Sequence, residues 1–194
     1  YTPSKNTNHA IAHFNIERVQ NINQLFTVGN QYIQRVPLEI FRTAYYAVYM
    51  MGASQIIGHM NIAYHEFGHG SRANAIGSHA TYRATINEPL NIKGAVTDSY
   101  VSLLKDLIEQ KKYESVATFH NPQQVYTSMS RLDFDTQRMI VSCGGVNNES
   151  YMAAQIVEYM YAKKQSSTFD FILYHHNKLG IYNYAKNDQT KESK

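Results

Sequence analysis

The sequence predicts a mainly α-helical single domain with one small β element, on three observations. Apolar residues recur at helical spacing through most of the 194 residues. Strict two-residue alternation is confined to one short stretch, Ala80 to Asn87. No internal repeat or long linker divides the chain. A hydrophobic share of 43% against 17% charged residues lets a chain of this length bury a core of its own. The domain is expected over residues 1–186, with residues 187–194 a polar, frayed tail.

The elements follow in order. Residues 1–8 are polar and expected to fray. From His9 to Val36 the spacing predicts one or two helices, broken near Gly29. Pro37 opens the next, "PLEIFRTAYYAVYMMG", because proline has no N–H to lose in a first turn. Another helix is expected from about Ala53 to Ala75, ending near Gly77. In the alternating stretch Ala80, Tyr82, Ala84 and Ile86 share one face, and "NEPLN" supplies turn chemistry, which predicts a strand or short hairpin. "TDSYVSLLKDLIEQKKYESVATF" returns to helix, capped by Thr97 or Asp98, and Pro122 opens a further short helical stretch. Asp133 to Gln165 reads as helical on both sides of a break at Gly144-Gly145. A last helix, capped by Ser166 or Ser167, is expected to stop at Gly180.

Composition removes several classes of function. The segment from Thr43 to Tyr64 has no charged residue, yet it carries Ser54, Gln55, His59 and Asn61. That polar load suits a buried helix pair better than a lipid-facing span, and the mean hydropathy of −0.44 agrees. No stable membrane insertion is expected, and the chain reads as soluble. The net charge of +3 is mild. The lysines are scattered or paired (Lys111/Lys112, Lys163/Lys164), so no nucleic-acid-binding stripe forms. A single cysteine, Cys143, excludes an internal disulfide and suits a reducing compartment or an exported bacterial protein.

The chemistry concentrates in "NIAYHEFGHGSRA", Asn61 to Ala73. Residues four apart on a helix share a face, so His65 and His69 can aim imidazole nitrogens at one ion. A catalytic zinc needs three protein ligands and an open position for water. Glu66, beside the first histidine, can take a proton from that water. An ordinary helix can also carry two hydrogen-bonded histidines. Gly68 and Gly70 argue against it, since each costs about 1 kcal/mol in a helix relative to alanine. His59 lies on a different face from His65. For a third ligand, Glu149 heads the stripe Glu149, Ala153, Ile156 and Met160 in the helix after Gly144-Gly145. A carboxylate on a buried face needs a charged partner, and no Lys or Arg lies within one turn. The opposing reading puts Glu149 in an exposed first turn, where negative charge suits the helix N-terminus. His79, just past the motif helix, and Asp98 are alternative third ligands.

H-E-F-G-H followed downstream by G-G-V-N-N-E resembles the gluzincin pattern of thermolysin-like zinc metallopeptidases. The resemblance implies a zincin-like domain in which a second helix, bearing a ligand, packs on the HExxH helix. It implies zinc held by His65, His69 and Glu149, with Glu66 as catalytic base and a polypeptide as substrate. Two departures stand out. The spacing between the motifs is much longer than in thermolysin itself. The family's acidic residue four positions beyond the third ligand is Ala153 here, so any carboxylate that orients a zinc histidine must come from another segment. The metzincin extension fails at Arg72 and Ala75. Tyr151, His175 and His176 are the candidates for stabilising an oxyanion. The strand-like stretch Thr81 to Asn87 offers an edge to which a substrate could add as a further strand.

More loosely, the composition resembles secreted effector proteases of the Legionella type. That implies export from a bacterium into a host cytosol and a host substrate such as actin. Asn148-Glu149-Ser150 is a formal glycosylation sequon, and a glycan there would crowd Glu149. The chain is therefore not expected to mature in a eukaryotic secretory pathway. A non-catalytic metal-binding or protein-interaction module and an intramembrane metalloprotease are the rival readings.

Overall fold

The computed structural model describes residues 4–85, 96–109, 115–120 and 125–192. It is mainly helical with one two-stranded sheet. The elements are α1 (Ser4–Ile33), α2 (Glu39–Ala75), β1 (Ala80–Thr85), α3 (Tyr100–Glu109), β2 (Ser115–His120), α4 (Phe134–Ser142), α5 (Gly144–Lys163) and α6 (Thr168–Glu192). A 3-10 turn, Ser128–Arg131, precedes α4.

Helix α2 organises the rest. At 37 residues it is about 55 Å long, and it packs against every other helix and both strands. Two helices were expected in this stretch, with a division near Gly52, but the helix runs straight through. The cost of one helical glycine is only about 1 kcal/mol, and burial of Ala53, Ile57 and Met60 just beyond it outweighs that. Helix α1 likewise passes through Gly29. That glycine makes room: a Cβ there would collide with the Tyr45 hydroxyl. Tyr49 donates to the Ile22 carbonyl at 2.6 Å, Tyr45 to that of Phe26 at 3.3 Å and Tyr64 to that of Asn8 at 3.1 Å. Later residues of α2 thus meet earlier residues of α1, so the pair runs antiparallel. Residues 4–8 belong to α1 rather than to a frayed end.

The sheet corrects a second expectation. β1 lies where the alternation put it, but its partner comes from Ser115–His120, which had read as the end of a helix. The strands pair antiparallel, with Tyr82 opposite Thr118 and Arg83 opposite Ala117. Ala80, Tyr82 and Ala84 turn inward and are buried, as alternation requires. On its other side β1 bridges Thr97 through Tyr82, so it is flanked on both sides there. The expected turn at "NEPLN" and the helix opened by Pro122 lie outside the described residues.

At the C-terminal end α4 and α5 are separated only by Cys143, so the two glycines begin α5 rather than interrupt a helix. Ser167 caps α6: its hydroxyl accepts from the Asp170 N–H at 3.2 Å, while the Ser167 N–H donates to the Asp170 carboxylate at 2.7 Å. The helix does not stop at Gly180 but continues to Glu192. Among the described residues no helix is long and apolar enough to cross a membrane.

Candidate metal centre

The last three turns of α2 bring His65, Glu66 and His69 together. Among the described residues they are the one set of three potential ligands whose atoms all lie within 4.8 Å. The two histidine Nε2 atoms face each other at 3.1 Å. Each ring is held from behind by its other nitrogen. His69 Nδ1 lies 2.7 Å from the Val141 carbonyl in the last turn of α4, and His65 Nδ1 lies 3.1 Å from Glu149 Oε1 on α5.

These partners fix the tautomers. A carbonyl only accepts, and so does a carboxylate, so both Nδ1 atoms must donate. In neutral rings each Nε2 then presents a lone pair, and the two lone pairs meet at 3.1 Å. That contact is repulsive unless a cation, either a proton or a metal ion, lies between them. Burial opposes charge on His65, but the Glu149 hydrogen bond and the charges of Glu149 and Glu66 outweigh it, raising the pKa above the ordinary histidine value.

Glu149 is 3% exposed, so the reading of an exposed first-turn carboxylate fails and the inward stripe holds. Asn61, one turn before His65, donates to Oε1 at 3.4 Å. Oε2 is buried and has no hydrogen-bond partner among the described residues. Glu149 therefore reaches the site, but it does so at His65 Nδ1, on the opposite side of the ring from the Nε2 that faces His69. Space for this arrangement is made by absent side chains. A Cβ on Gly145 would come within 2.4 Å of His65 Nε2, and one on Gly180 within 2.2 Å of Glu149 Oε1. Helices α2 and α5 touch backbone to backbone at Gly68 and Gly144, and Asn148 pins the crossing by donating to the Tyr64 carbonyl at 3.0 Å.

Glu66 is met from the sheet. Thr118 Oγ1 donates to Glu66 Oε2 at 2.6 Å and also lies 3.0 Å from the Glu66 carbonyl oxygen. The other candidates stand apart. His79 and Asp98 are exposed and outside the three-residue group. The Tyr151 hydroxyl is 2.7 Å from His9 Nδ1 on α1. His175 is exposed, and His176 packs beside Gly58 with its pKa lowered by burial and by His175. Sequence reasoning missed Val141, Asn61 and Thr118. Asn61 had a usable signal in its spacing of four before His65. Val141 acts through its backbone and had none.

Comparison with known proteins gave no match: no family model, no curated protein and no solved structure matches this chain.

Proposed function

We propose that the chain is a zinc-dependent endopeptidase. The observation that carries this reading is the pair of Nε2 lone pairs facing each other at 3.1 Å while both Nδ1 atoms are engaged behind them. Two nitrogens on one tetrahedral zinc lie about 3.3 Å apart, close to this spacing. The buried Oε2 of Glu149, which has no hydrogen-bond partner among the described residues, also suits a cation nearby. His65 and His69 would hold the ion, with Glu149 as the third ligand that the motif implies. Because Glu149 meets the His65 ring at Nδ1, its carboxylate has to turn to share an ion with both histidines.

When bound, the zinc would polarise a scissile carbonyl and make water acidic enough to lose its proton near neutral pH. The chain's own residues do the rest. Glu66 takes the water proton and passes it to the leaving amine. Val141 keeps the His69 imidazole in the tautomer protonated at Nδ1, and Glu149 does the same for His65 until its carboxylate turns to the ion. The edge for an added substrate strand moves from β1 to β2, whose outer side has no partner strand among the described residues.

The test is a zinc-to-protein ratio together with cleavage of a labelled unfolded protein, with and without a chelator. Stoichiometric zinc and chelator-sensitive cleavage support the proposal. Zinc without cleavage leaves a metal-binding interaction module, and the absence of both overturns it. Export into a host cytosol, with a substrate such as actin, is a further proposal that rests on composition alone. Incubation of the zinc-loaded protein with purified actin tests it, and intact actin counts against it.

A further inference from the structure

We propose that Thr118 is the positioning residue of Glu66, a role that rests on the reading of Glu66 as general base. A glutamate on a half-exposed helix face has several rotamers open to it, and proton transfer needs one of them. The hydrogen bond from Thr118 Oγ1 to Oε2, at 2.6 Å, is short and charge-assisted. The hydroxyl has a single proton, and the charged carboxylate takes the larger share of it against the Glu66 carbonyl at 3.0 Å. One carboxylate oxygen is thereby tied to the sheet, and Oε1 is left for the water.

The donor is itself fixed. Threonine is branched at Cβ and stiff about χ1. Thr118 sits directly opposite Tyr82 in the sheet, and Tyr82 is 1% exposed, so the pairing holds the strand in place. The sheet thus reaches the base through a side chain, while the histidines are oriented by α4 and α5. The Thr118 hydroxyl is not among the proposed ligands and acts through Glu66, while a substrate strand added to β2 would meet only backbone, which valine and serine both keep.

The experiment compares Thr118→Val, which keeps the shape and removes the hydroxyl, with Thr118→Ser, which keeps the hydroxyl. Zinc-loaded wild type and Glu66→Gln serve as references. The expected result for Thr118→Val is full zinc content, unchanged KM and a kcat lower by about 10- to 100-fold, as for loss of a hydrogen bond to a charged group. Thr118→Ser should recover kcat to within about threefold of wild type, the margin a retained hydrogen bond allows. In zinc-free protein, carbodiimide labelling of Glu66, read by mass spectrometry, should rise in Thr118→Val and not in Thr118→Ser. A Thr118→Val variant with wild-type kcat and labelling, beside an inactive Glu66→Gln, overturns the positioning role and leaves the base intact. So does a loss of zinc and kcat together that serine fails to rescue. A Glu66→Gln variant with wild-type rate overturns the base reading, and the role of Thr118 falls with it.

Discussion

The two halves of α2 are one continuous helix with opposite surroundings. From Glu39 to Gly52 none of its residues is buried, and Ile40, Phe41, Val48 and Met51 are exposed, Met51 at 73%. Its contacts there run through tyrosines, to α1 and, at Tyr49, to Phe169 of α6. From Ala53 to Ala75 the same helix is enclosed by α3, α5, α6 and the sheet, and it buries Ile57, Met60, Tyr64 and Gly68. Only the enclosed half carries the histidine pair. The difference teaches that the motif's spacing sets which side chains share a face, while packing from several sides sets where their nitrogens point. A site built on the outer half would have the same spacing and fewer elements around it to aim its side chains.

Five experiments can break or sharpen this contrast. The largest effect is expected from Glu66→Gln, which should keep zinc and fold and lose hydrolysis by about 10²- to 10⁴-fold, the usual contribution of a general base. Near-wild-type cleavage by that variant removes Glu66 from the mechanism. Next, Glu149→Ala should weaken zinc binding by at least about 10- to 100-fold, whereas His79→Ala and Asp98→Ala should leave it unchanged. The visible spectrum of cobalt-substituted Glu149→Gln then separates two roles. A changed spectrum marks a ligand, and an unchanged one marks a carboxylate that only orients His65.

The remaining two are stability measurements on glycines of the two halves. Gly68→Ala should destabilise by about 3 kcal/mol or more, because its Cβ would sit 2.3 Å from the Gly144 carbonyl oxygen. Gly52→Ala should instead raise stability by about 0.5–1 kcal/mol, since nothing lies within 4 Å of its added Cβ. Chemical denaturation of both variants checks the pair. Equal effects in the two halves would mean that the enclosure of the inner half is not what holds it.

Much of the site was legible because its signals are local. Spacing put His65 and His69 on one face, and the stripe through Ala153 and Ile156 put Glu149 inward. The fold was less legible where partners are distant. Ser115–His120 pairs with β1 across 30 residues at Thr85↔Ser115 and 40 at Ala80↔His120, and no local window along the chain contains both strands. Glycines misled for the same reason. Gly29, Gly52 and Gly180 read as stops, yet Gly29 admits Tyr45 and Gly180 admits Glu149. A local pattern cannot distinguish a glycine that ends a helix from one that clears space for a neighbour.

The two histidines differ in how a single mutation can reach their supports. His65 leans on a side chain, and one codon change at Glu149 takes it away. His69 leans on the main-chain carbonyl of Val141, which every amino acid at that position supplies. Drift at residue 141 therefore leaves the hydrogen bond in place so long as the α4–α5 corner keeps its path. Under random mutagenesis the support of His65 should be lost far more often than that of His69, although both serve the same pair of rings.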